Sequence, residues 1–272
     1  MHIHALDSYL HGESPVHQLD PRVKSVICAL LVCVIAVAPD GSWGAFGLLF
    51  IFLVLVGLLS QVGLLLIQKR AAVALPFTLA ALTVAFATPG EALLTFSFLG
   101  GNWALTDAGL LRFLFIVLRS YLSVQAAVIL VATTPFPDLL WSMRALRVPQ
   151  VVVAIGGFLY RYIFVLADEV QRLLRAREAR SAEPARISEP NGYGRAGRSA
   201  IWRARVTGSM AGTLFIRSYE RSERIHSAML ARGYDGEVRA LTPPAMRPVD
   251  WVIGALVSVL LLAIAIMGRM VL

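Results

Sequence analysis

Long apolar segments dominate this chain and restrict what it can fold into. A helix needs about 20 residues to cross the hydrocarbon core of a membrane, and five segments are close to that length: residues 24–39, 44–67, 71–89, 113–132 and 249–267. Of the 272 residues, 57% are hydrophobic and only 15% are charged, whereas soluble domains carry about 25% charged residues. The pattern predicts an all-α polytopic membrane protein with about five transmembrane helices and excludes an ordinary soluble enzyme.

A sixth apolar segment, Val151–Ala167, decides the predicted topology. The region from Thr133 to Pro248 around it holds 18 of the 25 Lys and Arg residues, all of them Arg. Basic residues favour the cytoplasmic side of a membrane, and a crossing at Val151–Ala167 would send most of this arginine outside. We therefore expect the segment to stay cytoplasmic, as a helix whose apolar face is covered by lipid headgroups or by a partner protein.

This topology divides the chain into three parts. Residues 1–132 contain an N-terminal segment and four transmembrane helices, residues 133–248 form a cytoplasmic module, and residues 249–272 contain the last transmembrane helix. Arg22 and Lys24 then flank the first span on the inside, which agrees with the positive-inside rule. We expect a multi-pass protein of the bacterial cytoplasmic membrane with its N-terminus in the cytoplasm and its C-terminus outside.

Three helical segments are predicted within the cytoplasmic module. A short amphipathic helix begins after Pro135 and ends before Pro149, because the residue that precedes a proline disfavours helical geometry. A long helix follows from Val151 to about Ser181, and residues 182–199 form a loop rich in Pro, Gly, Ser and Arg. The third helix covers about 202–232, and the next residue, a glycine, can supply the left-handed cap that ends it.

The two long helices end in similar tripeptides, Ala179-Arg180-Ser181 and Ala231-Arg232-Gly233. Each places a permanently charged guanidinium at the tip of a helix with little bulk around it, which would suit an acidic groove on another protein. The same residues are also ordinary at a helix end, where Arg complements the helix dipole and Gly caps the last turn. On the residues alone, both interpretations stay open.

A longer motif around the second tripeptide is more specific. It reads Arg217-Ser218-Tyr219-Glu220-Arg221-Ser222-Glu223-Arg224 and continues from Ala228 through Arg232-Gly233-Tyr234-Asp235-Gly236. With Leu19-Asp20-Pro21-Arg22-Val23-Lys24 and Leu146-Arg147-Val148-Pro149, it resembles the T component of energy-coupling-factor transporters, specifically the CbiQ type of cobalt uptake systems. The resemblance covers nearly the whole chain.

The resemblance implies a non-enzymatic transmembrane coupling subunit of an ABC transporter for cobalt. In that family, two Ala-Arg-Gly-like motifs dock on a pair of cytoplasmic ATPase subunits, and by position they correspond to Ala179, Arg180 and Ser181 and to Ala231, Arg232 and Gly233. It also implies ATPases of the CbiO type in two copies, a substrate-binding membrane subunit of the CbiM type and a small CbiN-like subunit. The first motif departs from the pattern at Ser181.

The sequence contains no catalytic or metal-binding motif. A Walker A loop and a His-Glu-x-x-His motif are both absent, so we expect no catalysis, no metal site and no cofactor in this chain. The spacing of His2, His4, His11 and His17 matches no closed metal site, and a polar cytoplasmic tail explains them. Arg119 lies within the fourth span, where it is either a functional site or a side chain that reaches the outer interface.

Alternative functions remain open at this point. Within the same class, the substrate could be nickel or a vitamin, since a coupling subunit need not touch what is transported. From other classes, a membrane-embedded phosphate-handling enzyme would need acids or histidines clustered at one membrane depth, and none are evident. A receptor or assembly factor would use the basic module to bind anionic lipid or nucleic acid. We expect the lipid membrane and the transporter subunits as partners, and no nucleic acid.

Overall fold

The structure, a computed structural model, describes residues 9–73, 75–89, 92–98, 101–181, 200–236 and 246–270. Helices dominate this part of the chain, which confirms the predicted all-α polytopic membrane fold. In chain order the elements are α1 (Pro15–Gln18), α2 (Pro21–Val37), α3 (Trp43–Leu59), α4 (Leu64–Ala72), α5 (Leu75–Thr78), a 3₁₀ turn (Leu79–Ala81), α6 (Leu82–Ala87), β1 (Ala92–Phe98), β2 (Gly101–Thr106), α7 (Asp107–Thr133), α8 (Phe136–Ala145), α9 (Gln150–Ser181), α10 (Ala200–Ala231) and α11 (Pro248–Met270).

The chain forms two compact units. The first, which we call the bundle unit, comprises Met1–Val148 and Ala240–Leu272. The second, which we call the arm unit, comprises Pro149–Arg239 and therefore contains α9 and α10. The predicted boundaries at residues 133 and 248 concern the position of the bilayer, and they stay a prediction.

The core of the bundle unit lies where α2, α3, α7 and α11 meet. Ile35, Leu49, Phe115, Leu122 and Leu261 are all essentially inaccessible to solvent and belong to one apolar cluster. Many other apolar side chains on the same helices are exposed, as expected for surfaces that face lipid. The burial pattern therefore fits a membrane bundle in which one stripe of each helix packs inward.

Local sequence signals explain where α2 begins. Pro21 occupies the first turn, where its missing N–H costs no hydrogen bond. The Asp20 Oδ1 atom accepts a hydrogen bond of 2.8 Å from the backbone N–H of Arg22 and so caps the helix. These two residues belong to the Leu19–Lys24 motif, whose resemblance to the transporter family thus coincides with a helix start.

The second and third predicted spans differ from the helices observed. The segment predicted at 44–67 ends as a helix at Leu59, followed by a turn in which Gln61 and Gly63 have positive φ values of 55° and 93°. The segment predicted at 71–89 is not one continuous helix. Pro76 supplies the physical reason, because it cannot donate a hydrogen bond to the carbonyl of Ala72, and α4 ends at Ala72.

Three helices among the described residues are long and apolar enough to cross a membrane: Asp107–Thr133, Gln150–Ala179 and Pro248–Met270. Shorter apolar helices such as Trp43–Leu59 accompany them. The second of the three contains the Val151–Ala167 segment, so length and composition alone would allow it to span the membrane. Its assignment to the cytoplasm depends on the arginine distribution and stays a prediction.

A β-hairpin follows α6, and the sequence pattern did not predict it. β1 and β2 pair antiparallel, with Thr95 opposite Ala104 and Phe98 opposite Gly101. The hairpin precedes α7, whose N-terminus is capped by the Thr106 hydroxyl, which accepts a hydrogen bond from the N–H of Gly109. In the predicted topology, with the N-terminus in the cytoplasm, the connection between the third and fourth spans lies on the outer side, and the hairpin gives it a regular backbone.

The short helix α8 packs on α2 within the bundle unit. The Arg22 guanidinium lies 3.7 Å from the centroid of the Trp141 ring, and the Ser25 and Ser142 hydroxyls are 2.9 Å apart. The sequence pattern groups α8 with the arginine-rich helices that follow it. Its contacts instead attach it to the start of the first long apolar helix.

Candidate functional site

The end of α10 has the geometry that the sequence predicts for Ala231-Arg232-Gly233. Gly233 has a φ of +81°, which is a left-handed conformation that favours glycine. Its N–H donates to the Leu230 carbonyl at 3.0 Å, and the N–H of Tyr234 donates to the Met229 carbonyl at 3.0 Å. This pair of hydrogen bonds is a Schellman motif, so the prediction that Gly233 caps the helix is confirmed.

This cap leaves Arg232 at the end of the helix with its side chain exposed. Ala231, which precedes it, is also exposed. A Cβ atom built on Gly233 would find no other atom within 4 Å. The glycine is therefore required for its backbone conformation, and the surface around Arg232 stays open on both sides.

The first motif lies at the end of α9, which finishes at Ser181. Ala179 is exposed. The side chains of Arg180 and Ser181 fall outside the described residues, as does the predicted loop 182–199. The backbone places the first motif at a helix end, as predicted, and the role of its arginine stays a prediction.

Within the arm unit, α9 and α10 are joined by a carboxylate between two arginines. The Glu169 Oε1 atom accepts a hydrogen bond from Arg217 of α10 at 2.9 Å, and Oε2 accepts one from Arg172 of α9 at 2.8 Å. The Glu169 side chain is only 14% exposed, against 57% for Arg217. The contact with Arg217 was not predicted from the sequence, because residues 169 and 217 lie 48 positions apart.

A cavity of about 450 Å³ separates the two helices beside this ion pair. Its walls are mainly apolar, and its lining includes Phe158, Tyr162 and Leu166 of α9 and Ile225 and Met229 of α10. Tyr234, which follows the capping glycine, also lines it. The residues that end α10 therefore also contribute to the wall of this cavity.

The first half of α9 presents an exposed apolar stripe. Val151, Ile155, Leu159 and Ile163 follow one another at intervals of four residues, and Leu159 is 65% exposed. Residues spaced in this way lie on one face of a helix. The stripe confirms that the apolar face inferred from the sequence is exposed in the described part of the chain, as a surface for lipid or for another protein would be.

The structure gives Arg119 contacts that the sequence could not specify. Its Nη2 atom donates to the Asp40 Oδ1 atom at 2.7 Å and to the Ala38 carbonyl at 2.5 Å. Arg112 approaches the other Asp40 oxygen at 4.0 Å. The guanidinium thus ties α7 to the carboxyl end of α2 and to the α2–α3 turn, which is a structural task.

The described histidines near the N-terminus make local contacts. The His17 Nδ1 atom lies 2.6 Å from the Ser14 hydroxyl, and Nε2 lies 3.0 Å from the Leu10 carbonyl. His2 and His4 fall outside the described residues. Within the described part of the chain, no three His, Cys, Asp or Glu side chains are grouped so that they could hold a metal ion.

A buried charge cluster at one end of the bundle unit was missed by the sequence reasoning. Lys24 is 8% exposed, and its Nζ atom donates to the carbonyls of Thr133 at 3.1 Å and His17 at 3.2 Å. Asp20, Asp138 and Asp250 also surround it. From the sequence, Lys24 was interpreted only as a basic residue that marks the cytoplasmic end of the first span. Its position in the Leu19–Lys24 motif was the one sign of a further role.

The carboxyl of Asp138 in α8 responds to this environment. Burial raises the pKa of Asp138 above its ordinary value, attraction to Lys24 opposes the rise, and repulsion from Asp20 adds to it. The cluster thus joins the start of α2, the end of α7 and the helix α8 through the buried Lys24 and Asp20 and the partly buried Asp138.

Comparison with known proteins identifies relatives along most of the chain. Residues 12–243 match the protein-family model CbiQ, described as cobalt transport protein. The chain is 28% identical over 272 residues to the energy-coupling factor transporter transmembrane protein EcfT of Thermanaerovibrio acidaminovorans, an alignment that covers 97% of this chain and 94% of that protein.

Two further relatives carry cobalt transport names. The chain is 31% identical to the cobalt transport protein CbiQ of Rhodobacter capsulatus over 62% of this chain and 64% of that protein. A fused cobalt transport protein, CbiMQ, of Methanocorpusculum labreanum is 29% identical over 54% of this chain and 22% of its own length. The chain spans only 39% and 59% of two uncharacterized relatives from Methanocaldococcus jannaschii.

Proposed function

Because this chain belongs to the CbiQ family of cobalt transport proteins, we propose that it is the transmembrane coupling subunit of an energy-coupling-factor transporter for cobalt uptake. The observation that carries the proposal is the pair of long helices in the arm unit, each of which ends in Ala-Arg followed by a small residue. The named relatives are membrane components of transporters, and the chain accordingly acts in transport and not as an enzyme.

The two arginine tips, Arg180 and Arg232, dock on separate ATPase subunits of the CbiO type. Arg232 supports this role because it is exposed at a rigidly capped helix end. A guanidinium keeps its charge at any physiological pH and can bind a carboxylate through two parallel hydrogen bonds. ATP is bound and hydrolysed in those subunits, and their closure moves α9 and α10.

The exposed stripe of α9 faces the membrane partner in this proposal. Leu159 and its neighbours at four-residue intervals offer an apolar surface, which suits a substrate-binding subunit of the CbiM type, accompanied by a small CbiN-like subunit. The fused CbiMQ relative supports a close association, because its name joins the two components in one chain. Motion of the helices then tilts the substrate-binding subunit between its outward-facing and inward-facing states.

A charge reversal at one tip tests the proposal. Arg232→Glu would bring a negative charge to the ATPase groove, so we expect it to weaken ATPase docking and to uncouple uptake from ATP hydrolysis. The assay is cobalt uptake per ATP hydrolysed by the complete complex in proteoliposomes, with co-purification of the ATPase measured alongside. Arg180→Glu is expected to act in the same way.

The matched control is Arg224→Glu, an exposed arginine two turns earlier on the same helix. It changes the net charge equally without altering the tip, so uptake should stay close to the unaltered level. Wild-type uptake by the Arg232→Glu complex would defeat the coupling role. Parallel assays with nickel and with vitamins determine the substrate: uptake of one of these in place of cobalt would contradict the cobalt assignment.

A further inference from the structure

The crossing of the two arm helices depends on one largely buried carboxylate. Glu169 contacts Arg217 across the crossing and Arg172 within its own helix, so both of its oxygens are occupied by arginine. Loss of its arginine partners would leave this carboxylate charged, unpaired and largely removed from water. That state is unfavourable in free energy, so the carboxylate stays paired. Glu169 therefore favours an arrangement in which Arg217 of α10 stays beside it.

On one side of this ion pair, side-chain packing restrains the crossing of α9 and α10 less than a filled core would. The 450 Å³ cavity between the helices begins directly beside the ion pair. Its lining includes Leu166, one turn before Glu169, and Ser218, which follows Arg217 in the chain. Side chains that face each other across this space make fewer contacts than they would in a filled core, so packing there restrains the helix crossing less. The ion pair at its end therefore has more influence on the crossing than an exposed pair on a well-packed surface would have.

Both arginine tips lie far beyond this contact along their helices. Arg180 is 11 residues past Glu169, and Arg232 is 15 residues past Arg217. At a rise of about 1.5 Å per residue, the tips lie roughly 16 Å and 22 Å from the ion pair. A rotation of about 10° at the pair would then displace the second tip by about 4 Å, which exceeds the reach of a hydrogen bond.

The cavity also shows how the helices run. Phe158 and Tyr162, in the first half of α9, share it with Ile225 and Met229, in the second half of α10. The second half of α10 therefore lies beside the first half of α9, and the two tips point to opposite sides of the crossing. A single contact can thus set the distance between them.

We propose that the Glu169–Arg217 ion pair is the positioning element of the arm unit, which sets the crossing of α9 and α10 and with it the spacing of the two arginine tips. The proposal rests on the proposed function for its consequence in transport. Its structural part, the control of the crossing by this pair, can be measured without any transport assay.

The experiment compares charge reversals in the complete transporter complex. Cys28 and Cys33 are first replaced by alanine. Cysteines are then introduced at Ala176 and Ala228, which are exposed on α9 and α10, and spin labels are attached to them. Double electron–electron resonance then measures the distribution of distances between the labels. Cobalt uptake per ATP hydrolysed is measured in parallel. Arg217→Glu opposes two carboxylates, so we expect a broader distance distribution and a loss of coupling of about five-fold or more.

Arg172→Gln is the matched control, because it removes an arginine from the same carboxylate without breaking the contact between the helices. It should preserve both the distance distribution and the coupling. The exchanged pair, Glu169→Arg with Arg217→Glu, is made in the Arg172→Gln protein and restores the attraction with the two charges swapped. We expect it to restore both the distance distribution and the coupling. A variant that merely folds badly would not be rescued in this way.

The outcomes separate the two proposals. A distance distribution left unchanged by Arg217→Glu, or not restored by the exchanged pair, would overturn the positioning role even if the complex transports normally. Broadening without loss of coupling would overturn the link between the crossing and transport. If the unaltered complex takes up no substrate, the proposed function fails, while the distance measurement still decides the role of the ion pair.

Discussion

Individual residues in this chain have roles that their local backbone decides. Gly233 ends α10 because a φ of +81° suits glycine, and Arg232 owes its exposed position to that cap. Gly208 lies inside the same helix, and a methyl group added to its Cα atom would meet nothing within 4 Å. The same substitution at these two glycines should therefore have opposite effects.

We expect Gly233→Ala to loosen the end of α10. Forcing alanine into the left-handed region costs about 1–2 kcal/mol, whereas Gly208→Ala should stabilise the helix by about 0.5–1 kcal/mol. Hydrogen–deuterium exchange of the amides at positions 229–234 measures the difference. Exchange should become faster with Gly233→Ala and no faster with Gly208→Ala, and equal behaviour would contradict the role given to the cap.

Arg119 shows what the sequence leaves undecided at the scale of a residue. An arginine within an apolar segment is either functional or directed to the interface, and no local pattern distinguishes the two. The contacts with Asp40 and the Ala38 carbonyl come from a turn that precedes it by about 80 positions. Only the packing of α7 on α2 brings these groups together.

At the scale of elements, charges join the helix ends of the bundle unit. Lys24 in α2 links the carbonyl of Thr133 at the end of α7 to the carbonyl of His17 in α1, and Asp138 of α8 is attracted to the same lysine. This cluster therefore helps to hold α1, the start of α2, the end of α7 and α8 in position beside one another.

The raised pKa of Asp138 predicts a pH dependence of stability. Burial disfavours the charged carboxylate, so the native state binds the proton more readily than the unfolded state does. The contribution of this group to stability is present below its ordinary pKa of 3.8 and is lost as the pH rises through the raised value. Asp138→Asn cannot titrate and should lack this part of the pH dependence.

Thermal unfolding of the detergent-solubilised complex between about pH 3 and pH 7 measures the effect. As the pH falls from 7 to 3, the melting temperature of the unaltered protein should rise relative to that of the Asp138→Asn protein. Asp168→Asn, which changes an exposed carboxylate on α9, serves as the control. Identical pH profiles for the Asp138→Asn and unaltered proteins would show that the burial of this carboxyl has no energetic consequence.

The whole molecule depends on the side of the membrane that each unit faces. The arm unit contains most of the arginine and both arginine tips, and we propose that it lies in the cytoplasm with the N-terminus. The α2–α3 turn around Asp40 and the β-hairpin would then lie outside. Coupling to ATPases requires this arrangement, because ATP is available only on the cytoplasmic side.

Single cysteines test the arrangement directly. In a protein without Cys28 and Cys33, a cysteine at Gly44, which is exposed in the first turn of α3 with open space around it, should react with a membrane-impermeant maleimide on intact cells. A cysteine at Ser227 of α10 should react only after the membrane is permeabilised. Labelling of Ser227→Cys on intact cells would place the arm unit outside, and the coupling mechanism would then be untenable.

The sequence by itself determined the elements whose signals are local or compositional. Apolar length predicted the helices α2, α7 and α11, the Asp20-Pro21 pair marks the start of α2, and Gly233 predicted the end of α10. Each of these signals lies within the element itself or next to it. Only the tertiary structure decided the partners of Arg119 and Lys24, the placement of α8 and the Glu169–Arg217 contact. Most of these features join groups that are distant in the chain, and the physical cause is that a buried charge must find a partner wherever the packing of the helices provides one.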